Sequence, residues 1–433
     1  MVEDLVGKYF QGPNQALPIF DGASFLRMLY NWRHKPQERD KASWASINAV
    51  LALSAHYTGG VGSKELVRDS LNRAQSVLND LVTRDEDLKG IQVILSLVSL
   101  FLNTPHPEPT CILIATAVKL AHRLGLHDRE ARGTVDAELA LQMDRLFRIT
   151  YIYDRDISLR AVEPYAQHED DYDTPLLSSD VAGTVCVNGI QINWLQLRTQ
   201  LARIQGLAYS TTFSVKARRI PPDQKQLSAK HIDGLVQSWQ DCIPAKLHAE
   251  QLLKEAGEVS DSHARLIGLH LTAYHARFMA HRVYARNPDW IRHLTDYSDR
   301  FTKPSTDELH DHPSPQLLAP DWAEFLYMAR ICIRLIQMID ANTSAMIWSM
   351  LCTYQTALIV LIANRLTIWE HNLSDQMDSD VKLIGDAMQR LQDLIERQGG
   401  EEPVTILLNV HQACSELNRR ADIACQLRVC DSV

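Results

Sequence analysis

Runs of alternating β-branched residues are almost missing from these 433 residues, which excludes a fold built on sheet. The best strand candidate, VCVNGI at 185–190, is short. No C-x-x-C pair occurs. The eight cysteines stand scattered at 111, 186, 242, 332, 352, 414, 425 and 430, most of them in apolar helical stretches. That spacing excludes zinc-finger and thioredoxin-type sites and predicts buried, reduced thiols in a reducing compartment. Basic residues are outnumbered: formal net charge is −9, and the longest basic cluster is KARR, Lys216 to Arg219. A chain that reads DNA by itself through phosphate neutralisation needs a larger basic face. H-E-x-x-H and G-x-S-x-G are absent, and GGVGSK (59–64) lacks the Gly-Lys-Ser/Thr order of a phosphate loop. The N-terminus carries acids early and has no apolar h-region. The most apolar stretch, Ile91 to Leu102, falls far short of the roughly 20 residues that span a bilayer. A soluble chain with no membrane partner is expected.

What the sequence has in abundance is helical periodicity. Hydrophobic residues make up 45% of it, ample for a sizeable core. SWASINAVLALSAHY (43–57) spaces Trp44, Ile47, Leu51 and Ala55 along one stripe. A second helix is predicted over 64–82, with Leu66, Leu71, Ala74, Leu78 and Leu81 facing inward. Residues 87–103 are apolar nearly all round and predict a buried central helix. TCILIATAVKLAHRL follows Pro109 and stops at Gly125, a C-terminal cap. The helix over 137–160 places Leu139, Met143, Leu146 and Phe147 on its core face. Further helices are predicted at 191–211, 229–243, 261–286, 321–340, 345–369, 380–397 and 403–427. Irregular segments fall at 161–188, at 214–227, where Pro-Pro ends a helix, and at 300–320, a proline-rich loop long enough to be mobile. The fold class is all-α: one large multi-helix domain with irregular loops, spanning 1–433.

HEDDYDTP (168–175) sets Glu169, Asp170 and Asp173 at the spacing of an aspartate-rich magnesium motif, (D/E)-D-x-x-D. All-helical terpenoid synthases pair such a motif with a second ligand set. The nearest here, NRLTIWE (364–370), has Asn364, Thr367 and Glu370 at offsets of three and six rather than four and eight. Pro164 and Pro175 bracket the acids and argue for a loop. Acids clustered in a loop are commonly solvated or cap a helix. His270, His275 and His281 lie five and six residues apart and share no ligand face. The loop dyad at 310–312 is a weak ligand, and His122 and His127 flank Gly125 as helix-end packing. No catalytic, cofactor or metal residue is assigned, and an enzyme is not expected.

One block has a family look. TCILIATAVKLAHRLGLHDRE (110–130) ends in A-x-x-L-G-L-H: Ala121, Leu124, Gly125, Leu126 and His127. LQMDRLFRITYIYDRDISLR (141–160) carries Arg145, Phe147, Tyr151, Asp154, Arg155, Ser158 and Leu159, then come Pro164, Asp171, Asp173 and Pro175. This block, 110–175, resembles the middle homology region of fungal binuclear-zinc-cluster transcription factors. Weaker echoes (8–29, 43–57, 235–244 and 271–282) carry the likeness over roughly 5–285. The resemblance makes HEDDYDTP the turn after the signature helix. Asp154 and Arg155, on an apolar helix, then need ion pairs or backbone bonds to that loop, a structural latch. Three positions depart from the pattern: Arg148 stands where the family has tryptophan, and Val162 and Glu163 where it has Gly-Arg.

The six-cysteine zinc cluster, C-x2-C-x6-C and its second half, has no counterpart in the sequence. The resemblance therefore implies a regulatory module or co-regulator that works through a DNA-binding factor or the transcription machinery. It reaches DNA only indirectly unless a zinc cluster precedes Met1. It also implies residence in the nucleus, with the cytoplasm an alternative, and a small-molecule effector as input. Two other readings compete. One is a helical effector-binding protein without a transcriptional role, its pocket lined by aromatics such as Trp194, Tyr209, Trp239, Tyr274 and Trp348, which helical spacing equally places in plain core. The other is a magnesium-dependent all-α synthase using Glu169, Asp170 and Asp173.

Overall fold

The chain opens with α1 (Val2–Gln11) and the short α2 (Pro13–Ala16), after which aspartates take over the helix starts. In the computed structural model Asp21, Asp40, Asp87 and Asp136 each accept a hydrogen bond from a backbone N–H two or three residues on. Each thereby occupies a donor that the helix leaves bare. They head α3 (Gly22–His34), α4 (Lys41–Thr58), α7 (Leu88–Leu102) and α10 (Ala137–Ala161). Between them lie α5 (Ser63–Gln75), α6 (Leu78–Thr83), α8 (Thr110–Arg123) and α9 (Arg129–Arg132). The structure describes residues 2–59, 62–83, 87–176, 182–254, 259–283, 287–302, 321–339, 345–371, 377–398 and 405–431. The expected loop at 300–320 and the dyad at 310–312 fall almost wholly or wholly outside them.

A two-stranded antiparallel hairpin follows: β1 (Thr184–Val187) pairs with β2 (Ile190–Asn193), Val185 opposite Ile192. Its turn is Asn188–Gly189, both at positive φ, the residue pair that a tight hairpin favours. Asn193 then caps α11 (Trp194–Thr212) by accepting from the Gln196 N–H. The strand candidate at 185–190 is therefore half of a hairpin, and the helix expected from 191 starts after it.

The second half is α12 (Pro222–Gln240), α13 (Ala249–Leu252), α14 (Asp261–Ala280), α15 (Pro288–Thr302), α16 (Trp322–Met338), α17 (Ala345–His371), α18 (Met377–Gln398) and α19 (Thr405–Asp431). The all-α class stands, since the hairpin is the only sheet among the described residues. Several boundaries differ from expectation. Pro222 starts α12 rather than ending a helix, because a first-turn proline gives up no hydrogen bond. The single helix expected over 64–82 is two, α5 and α6. At the break Ser76 Oγ donates back to the Arg73 carbonyl, a local bond that competes with the helical ladder. Leu139 is 38% exposed rather than core, sitting in the first turn of α10 at the rim of a surface groove, whereas Met143, Leu146 and Phe147 are buried.

Two apolar cores meet along α10 and α11. The first gathers α1, α3, α4, α7, α8 and most of α10. The second gathers α12, α14 and α16 through α19. α7 is buried all round, as its sequence predicts. A longer apolar span, Met346–Leu366 in α17, has the length and composition to cross a membrane; 78% of its most apolar window is buried against other helices, as a core helix would be. The cysteines are less buried than expected. Among the described residues Cys332 and Cys414 are buried, Cys186 and Cys242 are exposed, and none forms a disulfide.

Candidate functional site

α10 carries two charged clusters, and it carries them on opposite sides. Residues two apart on a helix do not share a face. Asp154 therefore turns toward the loop after α10, and Asp156 turns toward α11.

The Asp154 side is closed. Its carboxylate accepts from the backbone N–H groups of Ala166 (2.8 Å) and Gln167 (3.0 Å) and from Arg155 Nη1 (2.7 Å). Arg155 is wholly buried, and its Nη2 donates to the Gln167 carbonyl (2.8 Å) and to Glu169 Oε1 (2.7 Å). The guanidinium lies between two rings, 3.8 Å from the centroid of Tyr165 and 4.4 Å from that of Tyr151. Burial works against ionisation of Glu169, but Arg155, Tyr172 and Tyr151 outweigh it and hold the carboxyl below its ordinary value. Behind Arg155 is Gly206 of α11, where a Cβ would stand 2.7 Å from Arg155 Cδ.

The rest of the loop ties back to the end of α8. Gly125, at φ +71°, lets Leu126 donate to the Ala121 carbonyl (2.9 Å) and itself donates to His122 (3.1 Å), a Schellman closure. Asp173 N–H donates to the His127 carbonyl (3.1 Å), its carboxylate caps the Arg129 N–H (2.7 Å), and Thr174 Oγ1 donates to the Leu126 carbonyl (2.8 Å). His127 stacks on His122, with ring centroids 4.4 Å apart. Leu126 and Phe147 are buried, and Leu124 packs against the first core. Arg145 lines the surface groove beside Leu139, away from the corner, while Pro164, Asp171 and Pro175 are exposed.

The three motif acids of HEDDYDTP, Glu169, Asp170 and Asp173, do not converge. Glu169 serves Arg155 and the tyrosines, Asp173 serves α9, and Asp170 is exposed. Among the described residues no group of three or more His, Cys, Asp or Glu is placed to hold a metal ion.

The Asp156 side is open. Between the two cores lies a cavity of about 130 Å³. Asp156 enters its wall and accepts from Arg160 Nε (2.9 Å), Arg198 Nη2 (3.1 Å) and Gln205 Nε2 (2.7 Å). Burial alone would raise the Asp156 carboxyl; Arg160 and Arg198 outweigh it and hold the acid far below the usual carboxylate range. Arg160 also donates to the Ser349 carbonyl of α17, bridging the two cores. A third arginine, Arg265 of α14, reaches across to Gly12 ahead of α2, where a Cβ would lie 3.5 Å from its Nη2. Tyr9, Tyr57 and Tyr153 add to the polar wall, and Trp194 lies beside them. Of the aromatics named from the sequence, Trp194 lines this cavity and Trp239 a separate groove beside Tyr151, while Tyr274 is plain core.

Residues 6–241 match the family model described as the fungal specific transcription factor domain. The chain belongs to that family. It is 27% identical over 431 residues to an ABC-transporter-regulating transcription factor of Aspergillus fumigatus, and equally so to one of Aspergillus oryzae. Each alignment covers 96% of this chain and 46% of the relative, so the chain spans about half the length of these proteins. It is 24% identical to the fusaridione A cluster transcription factor of Fusarium heterosporum, covering 98% of this chain and 77% of that protein. No solved structure matches.

The three departures from the family pattern now have places. Arg148 is wholly buried in α10. Val162 ends α10 at φ 59°, ψ 38°, a left-handed conformation that a β-branched residue adopts only under strain. Glu163 closes the helix by donating its N–H to the Ser158 carbonyl (3.1 Å), while Ser158 Oγ donates to the Glu163 carbonyl. The Asp156 cavity had no motif to announce it. The weak signal was an arginine or aspartate recurring within apolar helices, at Asp156, Arg160, Arg198 and Arg265.

Proposed function

We propose that this chain is the regulatory region of a fungal zinc-cluster-type transcription regulator, or a co-regulator of the same build. It works in the nucleus through protein partners, with a small-molecule effector as its input. The observation that carries this reading is the family match over 6–241, within which the signature corner lies. We read 1–433 as one regulatory unit, because α14 and α17 pack with α10 and α11 around a shared cavity. Contact with DNA comes through a partner, or through a zinc cluster ahead of Met1 in the native protein; the intact mass of the endogenous protein separates the two.

The test is tethering. The chain is fused to an unrelated DNA-binding domain and assayed on a reporter bearing that domain's site. Reporter output is expected to rise or fall several-fold against the DNA-binding domain alone. Unchanged output at equal nuclear protein level would sink the reading. It would leave the second one, a helical effector-binding protein without a transcriptional role, which the cavity between the cores favours.

A further inference from the structure

The walls of the cavity between the cores do not balance in charge. Three arginines line it, Arg160, Arg198 and Arg265, against a single acid, Asp156. Asp156 is committed to Arg160 and Arg198. Arg265 has no such partner: only 9% exposed, its side chain makes no hydrogen bond or ion pair with another described residue. Burial pulls its guanidinium below the ordinary value, opposed only by Tyr57 and by Asp261 at the exposed start of α14. A buried cation without a partner is costly, so its retention calls for an anion.

Two further donors point the same way. The Tyr9 hydroxyl and the Trp194 indole N–H are buried and have no hydrogen-bond partner. Both line the same cavity. The polar wall thus offers a cation and two donors, and its one carboxylate is already engaged. The rest of the wall is mixed: Ser99, Asn103, Thr272, Ser349 and Thr353 are polar, and Leu53, Leu102, Leu269 and Met350 give it an apolar side. An engineered apolar cavity of about 150 Å³ in another protein holds benzene. At about 130 Å³ this one has room for a body of that class.

We propose that this cavity binds a compact organic monoanion: a carboxylate held by Arg265, Tyr9 and Trp194, on a short aromatic or branched aliphatic body set against the leucines and Met350. This names the chemistry of the effector; its regulatory meaning rests on the preceding reading, whereas the binding itself does not.

The experiment is calorimetric titration of the purified full chain with benzoate and with isovalerate. Benzyl alcohol serves as the neutral counterpart and inorganic phosphate as the anion without an apolar body. At least one of the two acids is expected to bind saturably, and benzyl alcohol and phosphate to bind at least tenfold more weakly. Arg265→Gln should weaken the acid by about 10- to 100-fold, the loss of one charge-assisted pair, and Arg265→Lys by less. If Arg265→Gln does not fold, Trp194→Phe serves: it removes one donor, keeps a ring in the wall, and should weaken the acid but not benzyl alcohol. The proposal is overturned if neither acid binds up to about 10 mM. It is equally overturned if benzyl alcohol or phosphate matches the acids, or if a folded Arg265→Gln binds as well as the parent. The tethered reporter with and without the acid then tests the regulatory reading separately. Binding without a reporter response would reject that reading and leave the site standing.

Discussion

Asp154 and Asp156 sit two residues apart on one helix, are both buried, and both hold arginine, yet their surroundings differ in kind. Asp154 belongs to a cluster that closes on itself. Arg155, two backbone amides, Glu169 and two aromatic rings fit one another within the single stretch 151–169. Asp156 belongs to a cluster assembled from distant elements, and cations outnumber acids around it. A closed cluster fixes shape. An open one, with donors facing a cavity, keeps binding capacity in reserve. Buried charge alone does not separate the two, and neither does perfect pairing, since Arg155 Nε is itself buried without a partner; the balance of charge does, two acids to one arginine on the Asp154 side and three arginines to one acid around the cavity.

The largest effect should come from breaking the open cluster at its acid. Asp156→Ala leaves Arg160 and Arg198 buried without their carboxylate, and we expect a loss of about 3–5 kcal/mol in urea unfolding. The pH dependence follows in sign. The Asp156 carboxyl titrates lower in the folded chain than in the unfolded one, where the value is about 3.9. The unfolded chain therefore takes up the proton first as pH falls. The stability Asp156 supplies is whole above about pH 5 and is lost as pH falls through the folded value. The gap between parent and Asp156→Asn should narrow below about pH 4 and stay constant above pH 5.

His270 on α14 sharpens the comparison by failing in another window. Burial pulls its imidazole down from 6.5 to about 4, while its Nε2–H donates to the Leu247 carbonyl (2.9 Å). Between those values the unfolded chain holds a proton that the folded chain refuses. Stability should be whole above about pH 6.5 and fall by about 3 kcal/mol on going to pH 4. His270→Gln should reduce the slope of that part of the profile and leave the part below pH 4, to which Asp156 contributes. An unchanged slope between pH 4 and 6.5 in the variant would assign the loss elsewhere.

The closed cluster breaks from behind. Gly206→Ala puts a Cβ against Arg155 Cδ, whose guanidinium is already fixed by three groups and two rings. The cost should be about 1–3 kcal/mol, the usual range for overpacking. It should leave cavity binding of the acid intact. Equal loss at both places would mean that the two faces of α10 are not independent.

What the sequence could reveal follows the same division. The closed cluster is local: its residues fall within 151–169, and the neighbouring helix end at 121–127 joins it through one returning loop, so a linear motif can represent it. The open cluster draws on residues from Tyr9 to Thr353, and no spacing rule connects such positions. Long helices were legible from periodicity, α7 and α10 above all. Boundaries failed where one residue type has two uses: Pro222 begins a helix instead of ending one, and Asn188–Gly189 turns a hairpin inside the stretch 185–190 read as one short strand.

The smallest effect tests the rim of the closed cluster. α8 and α10 end in the same way, by a left-handed residue followed by an N–H that donates to the carbonyl five residues back. At α8 the left-handed residue is Gly125, which has no Cβ to object. At α10 it is Val162, whose branched Cβ crowds its own backbone. The strain is of order 1–2 kcal/mol. Glycine would relieve it but would cost about 0.5–1 kcal/mol in the greater freedom of the unfolded chain. Val162→Gly should therefore stabilise the protein by up to about 1 kcal/mol, seen as a higher urea midpoint at unchanged slope. The mirror substitution, Gly125→Val, imports the same strain where a Cβ would also stand 2.8 Å from Ala131 Cβ, and should destabilise by more than Val162→Gly gains. If Val162→Gly instead destabilises, the valine side chain's packing against the second core outweighs its backbone strain, and the tight corner is held by contact rather than by conformation.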